Sequence, residues 1–576
     1  MTRGISLIYS TSYSKYLIFK ARITRETVKR DKYYVFYVVS RMLNCHKDHE
    51  RGSSIVTVNT ENNLKMPDNK ITARKKKPNI LLITSDQQHF NTIGAFNKEI
   101  KTPNLDRLVG EGTYFDRAYT ANPTCTPTRA TIITGKYPSQ HGAWTLGTKL
   151  PEEEPTLGKY LQKEGYQTSL IGKAHFQPLR ATEEYTSLEA YPILQDLDFW
   201  KNYKEDFYGF NHVELARNHV NEAHVGQHYA IWLKEKDFEN WKDYFVTPTG
   251  NMDRSIRHKW KIPEEYHYDN WIAERTNSLL EEYKDKDENF FLWASFFDPH
   301  PPYLVPEPWD TMYDPESITI PELKEGEHLK NPPHFSMTQE KDPDFSNYKE
   351  SGKDIHGMHS HLIDKQLLKK NIAVYYGMVS LMDKYIGKIL DKLEELNLAE
   401  DTIVVFTTDH GHLIGQHGLI AKGPFMYEDL IKVPLIVRWP NKVKENVINS
   451  SLQSLVDLSP TFLSSLGFSI PRTMTGVDES KVWQGQEAKA RDHIICEHHH
   501  EPTTINVRTY VDERYKLTVY YNETYGELFD LKEDPHEVNN LWNSEEHKEL
   551  KMNLLLKYIS AELQKEPMWM PRIAHA

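Results

Sequence analysis

The segment 122–142 constrains this chain more than any other part of the sequence. It reads NPTCTPTRAT and, two residues later, TGKYPSQHG. Pro127 suits the first turn of a helix, because no amide donor is needed there. The sequence therefore predicts that Cys125 lies just ahead of a helix N-terminus. Free backbone amides and the Arg129 guanidinium would favour an anionic ester at that place.

Length and charge limit the class of protein. A chain of 576 residues indicates two domains, or one large domain with an appendage. The net charge is −12, but residues 1–78 hold 17 basic and 6 acidic residues, which leaves −23 for the rest. An acidic body argues against nonspecific nucleic-acid binding. An anionic substrate must therefore be attracted by local basic side chains or a metal ion.

The N-terminal segment 1–75 is basic and rich in Tyr and Ser. It could be a disordered arm, an organelle-type presequence, or upstream sequence that is not part of the working protein. We favour the last, in which case the working protein would begin at Met66. It lacks the apolar core of a secretion signal, and no run is apolar and long enough for a membrane span. These features indicate a cytoplasmic protein, with the periplasm left open if the N-terminus is misassigned. The three cysteines cannot form a disulfide framework.

Short apolar runs alternate with helical patterns through residues 76–470. This alternation predicts an α/β catalytic domain, a doubly wound sheet with helices on both faces. The runs that read as buried core strands are 79–85, 166–171, 289–297, 402–408 and 433–437. Loop-rich insertions are predicted near 185–265 and 304–363.

Residues 471–576 predict a smaller C-terminal α+β subdomain. Residues 509–521 alternate in polarity, 522–526 suit a turn, and 527–530 suit a returning strand, so an antiparallel sheet is expected. A last helix is predicted to place four apolar side chains on one face, namely Leu555, Tyr558, Ile559 and Leu563.

Polar residues follow two of the predicted core strands. Asp86 and Gln87 follow the first, while Asp409 and His410 follow a strand more than three hundred residues later. Ligands of open α/β sheets gather at the carboxyl ends of strands, and a hard divalent cation accepts such oxygen donors. Taken alone, Asp409 reads as a turn residue and Asp86 as a helix cap. Together they indicate a metal site.

The Cys-x-Pro-Thr-Arg sequence, the Thr-Gly-x-x-Pro-x-x-His-Gly that follows it and these strand-end residues resemble the type I sulfatase family. The resemblance implies an alkaline-phosphatase-like fold. It also implies that a formylglycine-generating maturation enzyme oxidises Cys125 to Cα-formylglycine (3-oxoalanine). One divalent cation would be held by Asp86, Gln87, Cys125, Asp409 and His410. Catalytic roles would fall to Cys125 as nucleophile, Arg129, Lys173 and Lys422 as sulfate ligands, His300 as acid and His175 as base.

The metal ligands depart from the pattern of many arylsulfatases, which have Asp in place of Gln87 and Asn in place of His410. The pattern here resembles choline sulfatases and phosphonate monoester hydrolases of the same superfamily. Ca²⁺ is the first choice of ion. Mn²⁺ or Mg²⁺ come next, since imidazole suits Mn²⁺ better than Ca²⁺.

The expected substrate is a sulfated carbohydrate, such as an oligosaccharide of an algal polymer (for example ulvan) or of a glycosaminoglycan. Aromatic rings beside basic groups suit a sugar sulfate. The candidate pocket residues are Trp144, Arg180, His212, His219, His224, His228 and His498–His500. Two alternatives stay open, which are a phosphonate or phosphate ester hydrolase with the same formylglycine, and a noncatalytic binding protein.

Overall fold

The computed structural model describes residues 77–217, 225–245, 259–349, 356–499 and 503–575. The predictions for residues 1–75 fall outside this range. The strands are β1 (Asn79–Ser85), β2 (Thr113–Phe115), β3 (Ala118–Tyr119), β4 (Gln167–Gly172), β5 (His212–Leu215), β6 (Lys259–Trp260), β7 (Phe290–Ser295), β8 (Val305–Pro306), β9 (Thr402–Thr408), β10 (Leu413–Ile414), β11 (Ile420–Ala421), β12 (Lys432–Val433), β13 (Leu435–Arg438), β14 (Val447–Asn449), β15 (Gln453–Ser454), β16 (Ile494–His499), β17 (Asn506–Val511), β18 (Tyr515–Tyr520) and β19 (Gly526–Asp530). The α-helices are α1 (Pro103–Gly110), α2 (Cys125–Thr134), α3 (Pro138–His141), α4 (Leu157–Lys163), α5 (Leu197–Asn202), α6 (Gln227–Glu235), α7 (Tyr268–Lys286), α8 (Pro333–Met337), α9 (Lys365–Glu395), α10 (Glu428–Ile431), α11 (Leu458–Ser465), α12 (Ser480–Trp483) and α13 (Lys548–Gln564).

The centre of the molecule is an eight-stranded mixed sheet in the order β14-β2-β13-β9-β1-β7-β4-β5. The neighbouring strands from β9 to β5 are parallel, whereas β13 is antiparallel to both β9 and β2. The β1 and β9 bounds agree with the predicted runs. Both strands are buried throughout, which explains their continuous apolar and β-branched sequence.

Helices cover both faces of this sheet. Side chains of β1 alternate between two apolar clusters: Leu81 and Ile83 pack with helices α1, α7 and α9, while Ile80 and Leu82 pack with α2, α4 and α11. This alternation follows from the two-residue period of a strand. The predicted doubly wound architecture is confirmed. None of the helices in the described ranges has the length and apolar character needed to cross a bilayer.

The register of the parallel strands brings their carboxyl ends together. Ser85, the last residue of β1, is paired with Thr408 at the end of β9. At the other side Thr84 is paired with Ser295 of β7, which is paired in turn with Gly172 at the end of β4. The residues that follow β1, β4 and β9 therefore lie together at the carboxyl ends of the parallel strands.

The loop-rich segment predicted at 185–265 contains more regular structure than expected. Helices α5 and α6 lie there, and β5 pairs with β4 as the edge strand of the central sheet. A four-residue strand at a sheet edge gives almost no periodic signal, which is why the sequence did not reveal it. The segment 304–363 holds only β8, α8 and short 3₁₀ turns among its described residues.

The C-terminal part contains the predicted antiparallel sheet, in the order β16-β17-β18-β19. The prediction for the last helix was right for Leu555 and Tyr558, which pack half-buried against the core, and wrong for the other two residues. In α13 the fully buried side chains are Leu554 and Ala561, whereas Ile559 and Leu563 are more than half exposed. Apolar side chains lie on both sides of this helix, so its sequence alone could not show which side meets the core.

Candidate active site

Cys125 is the first residue of α2, one position further into the helix than the sequence indicated. The preceding residue, Thr124, has extended backbone angles, and its amide and hydroxyl both donate to Oδ1 of Asn122. Pro127 lies in the first turn, as predicted. The whole helix is buried and ends at Gly135, whose φ of 62° lies in the left-handed region that glycine tolerates. Cys125 is thereby held at a helix N-terminus inside the protein.

The Cys125 thiol is surrounded by side chains from distant parts of the sequence. Its Sγ lies 3.7 Å from Oδ1 of Asp86 and 3.3 Å from Nε2 of His410, and Lys422 Nζ donates to it at 3.1 Å. Burial and Asp86 oppose ionisation of the thiol, but Lys173 and Lys422 outweigh them and lower the pKa of Cys125. The site therefore favours negative charge on the residue at position 125.

Two buried carboxylates alternate with basic groups here. Lys173 forms an ion pair with Oδ2 of Asp86, and Arg129 Nε donates to Oδ2 of Asp409 at 2.9 Å. Burial alone would raise the pKa of Asp86, but Lys173 and then Arg129 hold it below its usual value. All four side chains are essentially inaccessible to solvent. Buried charges of this kind persist only when they are paired.

Arg129 joins three of the converging segments. Besides its bond to Asp409, its Nη1 donates to Oγ of Ser295 at 2.7 Å and to the Lys173 carbonyl at 2.9 Å. The Ser295 hydroxyl also donates to that carbonyl at 2.7 Å. Nη2 lies 3.9 Å from Asp86 and has no hydrogen-bond partner among the described residues. Nε and Nη1 of Arg129 therefore hold neighbouring groups in position, whereas Nη2 has no such role.

A glycine allows Lys173 to enter the site. Gly172 has a φ of 106°, and a Cβ at this position would lie 1.9 Å from the Ser295 carbonyl oxygen. This close approach lets the Lys173 amide donate to the same oxygen at 3.1 Å. His175 lies two residues further along the loop, and its backbone amide donates to Glu189 at 3.0 Å.

The residues predicted to hold a divalent cation fit one. Ligand atoms of Asp86, Cys125, Asp409 and His410 all lie within 4.8 Å of one another. The Nδ1–H of His410 donates to the Gly411 carbonyl at 2.9 Å, so the lone pair is left on Nε2, the nitrogen facing Cys125. Carboxylates with one imidazole suit a divalent ion.

Gln87 also fits this role. Its backbone amide donates to Oδ1 of Asp409 at 3.0 Å, and its side-chain amide donates to Nδ1 of His412 at 2.7 Å. Its Oε1 is buried and has no hydrogen-bond partner among the described residues. A buried carbonyl oxygen of this kind is a suitable cation ligand.

His300 follows β7 in the segment Asp-Pro-His-Pro-Pro. Its Nδ1–H donates to the Pro301 carbonyl at 2.6 Å. Burial, together with the charges of Lys422 and Lys173, holds the pKa of His300 well below its ordinary value. The two lysines act on His300 because it lies beside the same site. The predicted side chains of six parts of the chain therefore lie together, namely Asp86, Cys125 and Arg129, Lys173, His300, Asp409 and His410, and Lys422.

Comparison with known proteins agrees with this geometry. The profile of the family described as Sulfatase matches residues 78–468. The chain belongs to the sulfatase family. A second profile, described as N-sulphoglucosamine sulphohydrolase, C-terminal, matches residues 415–565 of this sulfatase.

Individual relatives cover most of this sulfatase. An arylsulfatase of Clostridium perfringens is 30% identical over 498 residues, which cover 85% of this chain and 95% of the relative. An N-acetylglucosamine-6-O-sulfatase of Bacteroides thetaiotaomicron is 26% identical and covers 83% and 85%. The crystal structure of the phosphonate monoester hydrolase of Agrobacterium radiobacter has a TM-score of 0.71 at 22% identity, covering 86% and 98%. The predictions of an alkaline-phosphatase-like fold, the type I sulfatase family and a sulfuric ester hydrolase are confirmed.

The residues predicted to line the substrate pocket of the sulfatase do not all lie in one cavity. Trp144 and His499 have ring centroids 4.6 Å apart and line one cavity of about 250 Å³, together with Ser139, Glu497 and Arg508. Arg180 is exposed to solvent. His219, His224 and His500 lie outside the described residues.

Two of the candidate histidines of the sulfatase have structural contacts instead. His212 lies 3.3 Å from Glu214, to which Arg275 donates from two nitrogens. His228 accepts a hydrogen bond from the Leu215 amide at 3.0 Å, and burial lowers its pKa to about 4. Both therefore support the edge strand β5. His498 is buried at the end of β16.

Sequence reasoning missed three residues that support the site of the sulfatase. His412 orients Gln87, and its other nitrogen lies 2.7 Å from the Tyr303 hydroxyl. Ser295 accepts from Arg129, and Arg508 lines the cavity beside Trp144. His412 had a usable signal, because it lies two residues after His410. A serine ending a buried strand and an arginine in an antiparallel strand had none.

Proposed function

We propose that this sulfatase removes sulfate from a sulfated carbohydrate, with a Cα-formylglycine formed from Cys125 as nucleophile. The observation that carries the proposal is the surroundings of Cys125: a buried helix N-terminus, with Lys422 at 3.1 Å and Lys173 paired to the adjacent Asp86. A hydrated aldehyde there would supply one hydroxyl to attack sulfur and a second to expel sulfate afterwards. A serine would lack the second hydroxyl.

Asp86, Gln87, Asp409 and His410, together with the residue at position 125, would hold one divalent cation, with Ca²⁺ the first choice and Mn²⁺ or Mg²⁺ next. When bound, such an ion acidifies a hydroxyl and neutralises negative charge. Lys173, Lys422 and the remaining Nη2 of Arg129 would contact sulfate oxygens and stabilise charge that develops in the transition state.

His300 would protonate the departing alcohol, and His175 would take the proton from the second hydroxyl. Burial and the charges of Lys422 and Lys173 lower the pKa of His300, so in this scheme it must gain a proton before it can donate one. An anionic ester between Lys422 and His300 would raise the pKa of His300 by offsetting the lysine charges. Substrate binding and protonation of His300 are therefore coupled in this scheme.

The cavity beside Trp144 and His499 supports the carbohydrate part of the proposal. The Asn122 side chain donates to the Glu497 carbonyl at 2.7 Å, so the end of β16 runs beside the segment that leads to Cys125. An indole ring next to Arg508 suits stacking on a pyranose with a neighbouring anion. The N-acetylglucosamine-6-O-sulfatase relative by its name acts on a sugar sulfate.

Two measurements test the proposal. Mass spectrometry of the peptide that contains Cys125, after co-expression with a formylglycine-generating enzyme, should show the aldehyde. The modified protein should then hydrolyse sulfated oligosaccharides and an aryl sulfate faster than a phosphate diester or a phenylphosphonate. An unmodified thiol in a fully active enzyme would contradict the nucleophile, and preference for a phosphorus ester would contradict the substrate class.

Substitution in the cavity tests the sugar contact separately. Trp144→Ala should raise KM for a sulfated oligosaccharide about tenfold, equivalent to about 1.4 kcal/mol, and leave KM for a small aryl sulfate unchanged. Tyr521→Ala, which removes an exposed aromatic side chain, is the matched control. Equal effects of Trp144→Ala on both substrates would exclude a sugar-specific contact.

The second candidate function is hydrolysis of a phosphonate or phosphate ester at the same site. It is favoured by Gln87 and His410, whose pattern resembles phosphonate monoester hydrolases. Gln87 in place of an aspartate removes one negative charge from the surroundings of the cation. The substrate panel above distinguishes the two functions directly.

A further inference from the structure

A second group of metal-ligand side chains lies outside the ligand set of the catalytic site. It consists of His267, Asp269 and Asp298, whose ligand atoms lie within 4.8 Å of one another. His267 is the N-cap of α7, Asp269 lies in the first turn of that helix, and Asp298 follows β7. All three residues are fully buried.

These side chains have several atoms without a hydrogen-bond partner among the described residues. The atoms are Nε2 of His267, both carboxylate oxygens of Asp269 and Oδ2 of Asp298. The other oxygen of Asp298 accepts from the Tyr268 hydroxyl. Buried polar atoms are almost always satisfied. Asp269 and Asp298 can satisfy each other only when one of them is protonated, and otherwise the cluster needs a cation.

The two aspartates of this cluster are also close enough to repel each other when both are ionised. Burial raises the pKa of both aspartates, Asp298 acts on Asp269, and Asp86 acts on Asp298. The two carboxyl groups therefore need either a proton shared between them or a bound cation. Transfer of one unpaired carboxylate into a protein interior costs several kcal/mol even after relaxation. A bound divalent cation would neutralise both aspartates at once.

We propose that His267, Asp269 and Asp298 bind a second divalent cation of the transition-metal class, such as Zn²⁺ or Mn²⁺. The imidazole favours this class over Ca²⁺ and Mg²⁺. Donor atoms bound to one such ion at about 2.1 Å lie roughly 3–4 Å apart. Nδ1 of His267 lies 3.7 Å from Oδ2 of Asp269, in agreement with that spacing, and it now accepts a hydrogen bond from the Asp269 amide at 3.2 Å. An ion bound at Nδ1 would take the place of that hydrogen bond.

The position of this second cation site gives it a structural role. It connects the start of α7 to the segment just before His300. The Asp298 carbonyl also accepts a hydrogen bond from the Asp86 amide at 3.1 Å. A cation at this place would therefore fix the loop that carries His300 against the strand end that carries Asp86.

Counting bound ions tests the inference without requiring turnover or modification of Cys125. The full chain is stripped with a chelator, reloaded with Zn²⁺, desalted and analysed by inductively coupled plasma mass spectrometry. The wild type should retain about one ion per chain more than Asp269→Asn. Asp409→Asn, which removes a ligand of the catalytic cation, is the control and should lose the other ion. The double variant should lose both.

His267→Asn provides a second test if Asp269→Asn folds poorly. Asparagine keeps an N-cap acceptor for α7 but lacks the imidazole. It should also retain about one ion fewer than the wild type, and Zn²⁺ should raise its unfolding temperature less. The alternative is a proton shared by the two aspartates. In that case both variants would bind as much Zn²⁺ as the wild type, and the inference would be overturned.

Discussion

Arg129→Lys is the substitution that best tests how the active site is assembled. Arginine donates from Nε to Asp409 and from Nη1 to both Ser295 and the Lys173 carbonyl, over distances of 2.7–2.9 Å. A lysine keeps the positive charge but has one nitrogen on a flexible chain. It cannot reach these acceptors from two directions at once. The change therefore separates geometry from charge.

The size of the effect follows from burial. The side chains of Arg129 and Asp409 are at most 1% exposed, so solvent cannot replace a lost contact. Breaking a buried ion pair costs about 3–5 kcal/mol, and a retained lysine charge should recover part of that, leaving about 2–3 kcal/mol. Displacement of Asp409 and Lys173 should also lower kcat/KM by about 10²–10³, as for loss of one transition-state donor.

Urea denaturation followed by fluorescence, together with hydrolysis of an aryl sulfate, measures both quantities. Arg107→Lys is the matched control, because Arg107 donates to Asp391 at 2.7 Å but its side chain is 29% exposed. A surface pair of this kind contributes about 0–1 kcal/mol. If Arg129→Lys were as mild as the control in both assays, the assembly around Arg129 described above would be wrong.

Three further predictions follow from separate parts of the molecule. Cys125→Ser should block multiple turnover and accumulate a sulfated enzyme detectable by mass spectrometry, whereas steady turnover would contradict the two-hydroxyl scheme. Burial opposes the charged form of His417, but Asp429 and Glu327 raise its pKa to about 9. The stability that protonated His417 contributes is therefore complete below about pH 6.5 and is lost as the pH rises through about 9. In His417→Gln the unfolding temperature should change less with pH between these values than in the wild type. The same pH dependence in both proteins would refute this. Leu554→Ala should cost about 2–4 kcal/mol, and Leu556→Ala, 62% exposed, about 0.5 kcal/mol or less; equal losses in urea denaturation would contradict the assigned buried face of α13.

The elements that the sequence predicted well are those buried on both sides. The bounds of β9 agree with its apolar run residue for residue, and the long helix α9 begins beside Asp364, which caps it by accepting from two amides. The sequence could not locate β5 or β2, because short strands depend on pairing with neighbours rather than on their own pattern.

The site was predictable for a geometric reason. Parallel strands end at one edge of a sheet, so Asp86 and Asp409 had to meet once β1 and β9 were recognised as neighbours in one sheet. The supporting residues were not predictable in this way. Ser295 and His412 act through hydrogen bonds whose partners come from other segments, and no local pattern distinguishes them from ordinary buried polar residues.

The balance of formal charge explains how an acidic protein can bind an anionic ester. Within the site, the three basic side chains Arg129, Lys173 and Lys422 face two carboxylates, Asp86 and Asp409. The local excess is therefore positive before any cation is counted. Lys422 contacts Cys125 and His410, neither of which offers a carboxylate. The charge of Lys422 also acts on Asp86, but Asp86 is already paired with Lys173. A sulfate ester at position 125 would supply the further negative charge that three cations and two carboxylates lack. The strand ends hold these cations in place, so their excess positive charge is offset only when an anion binds.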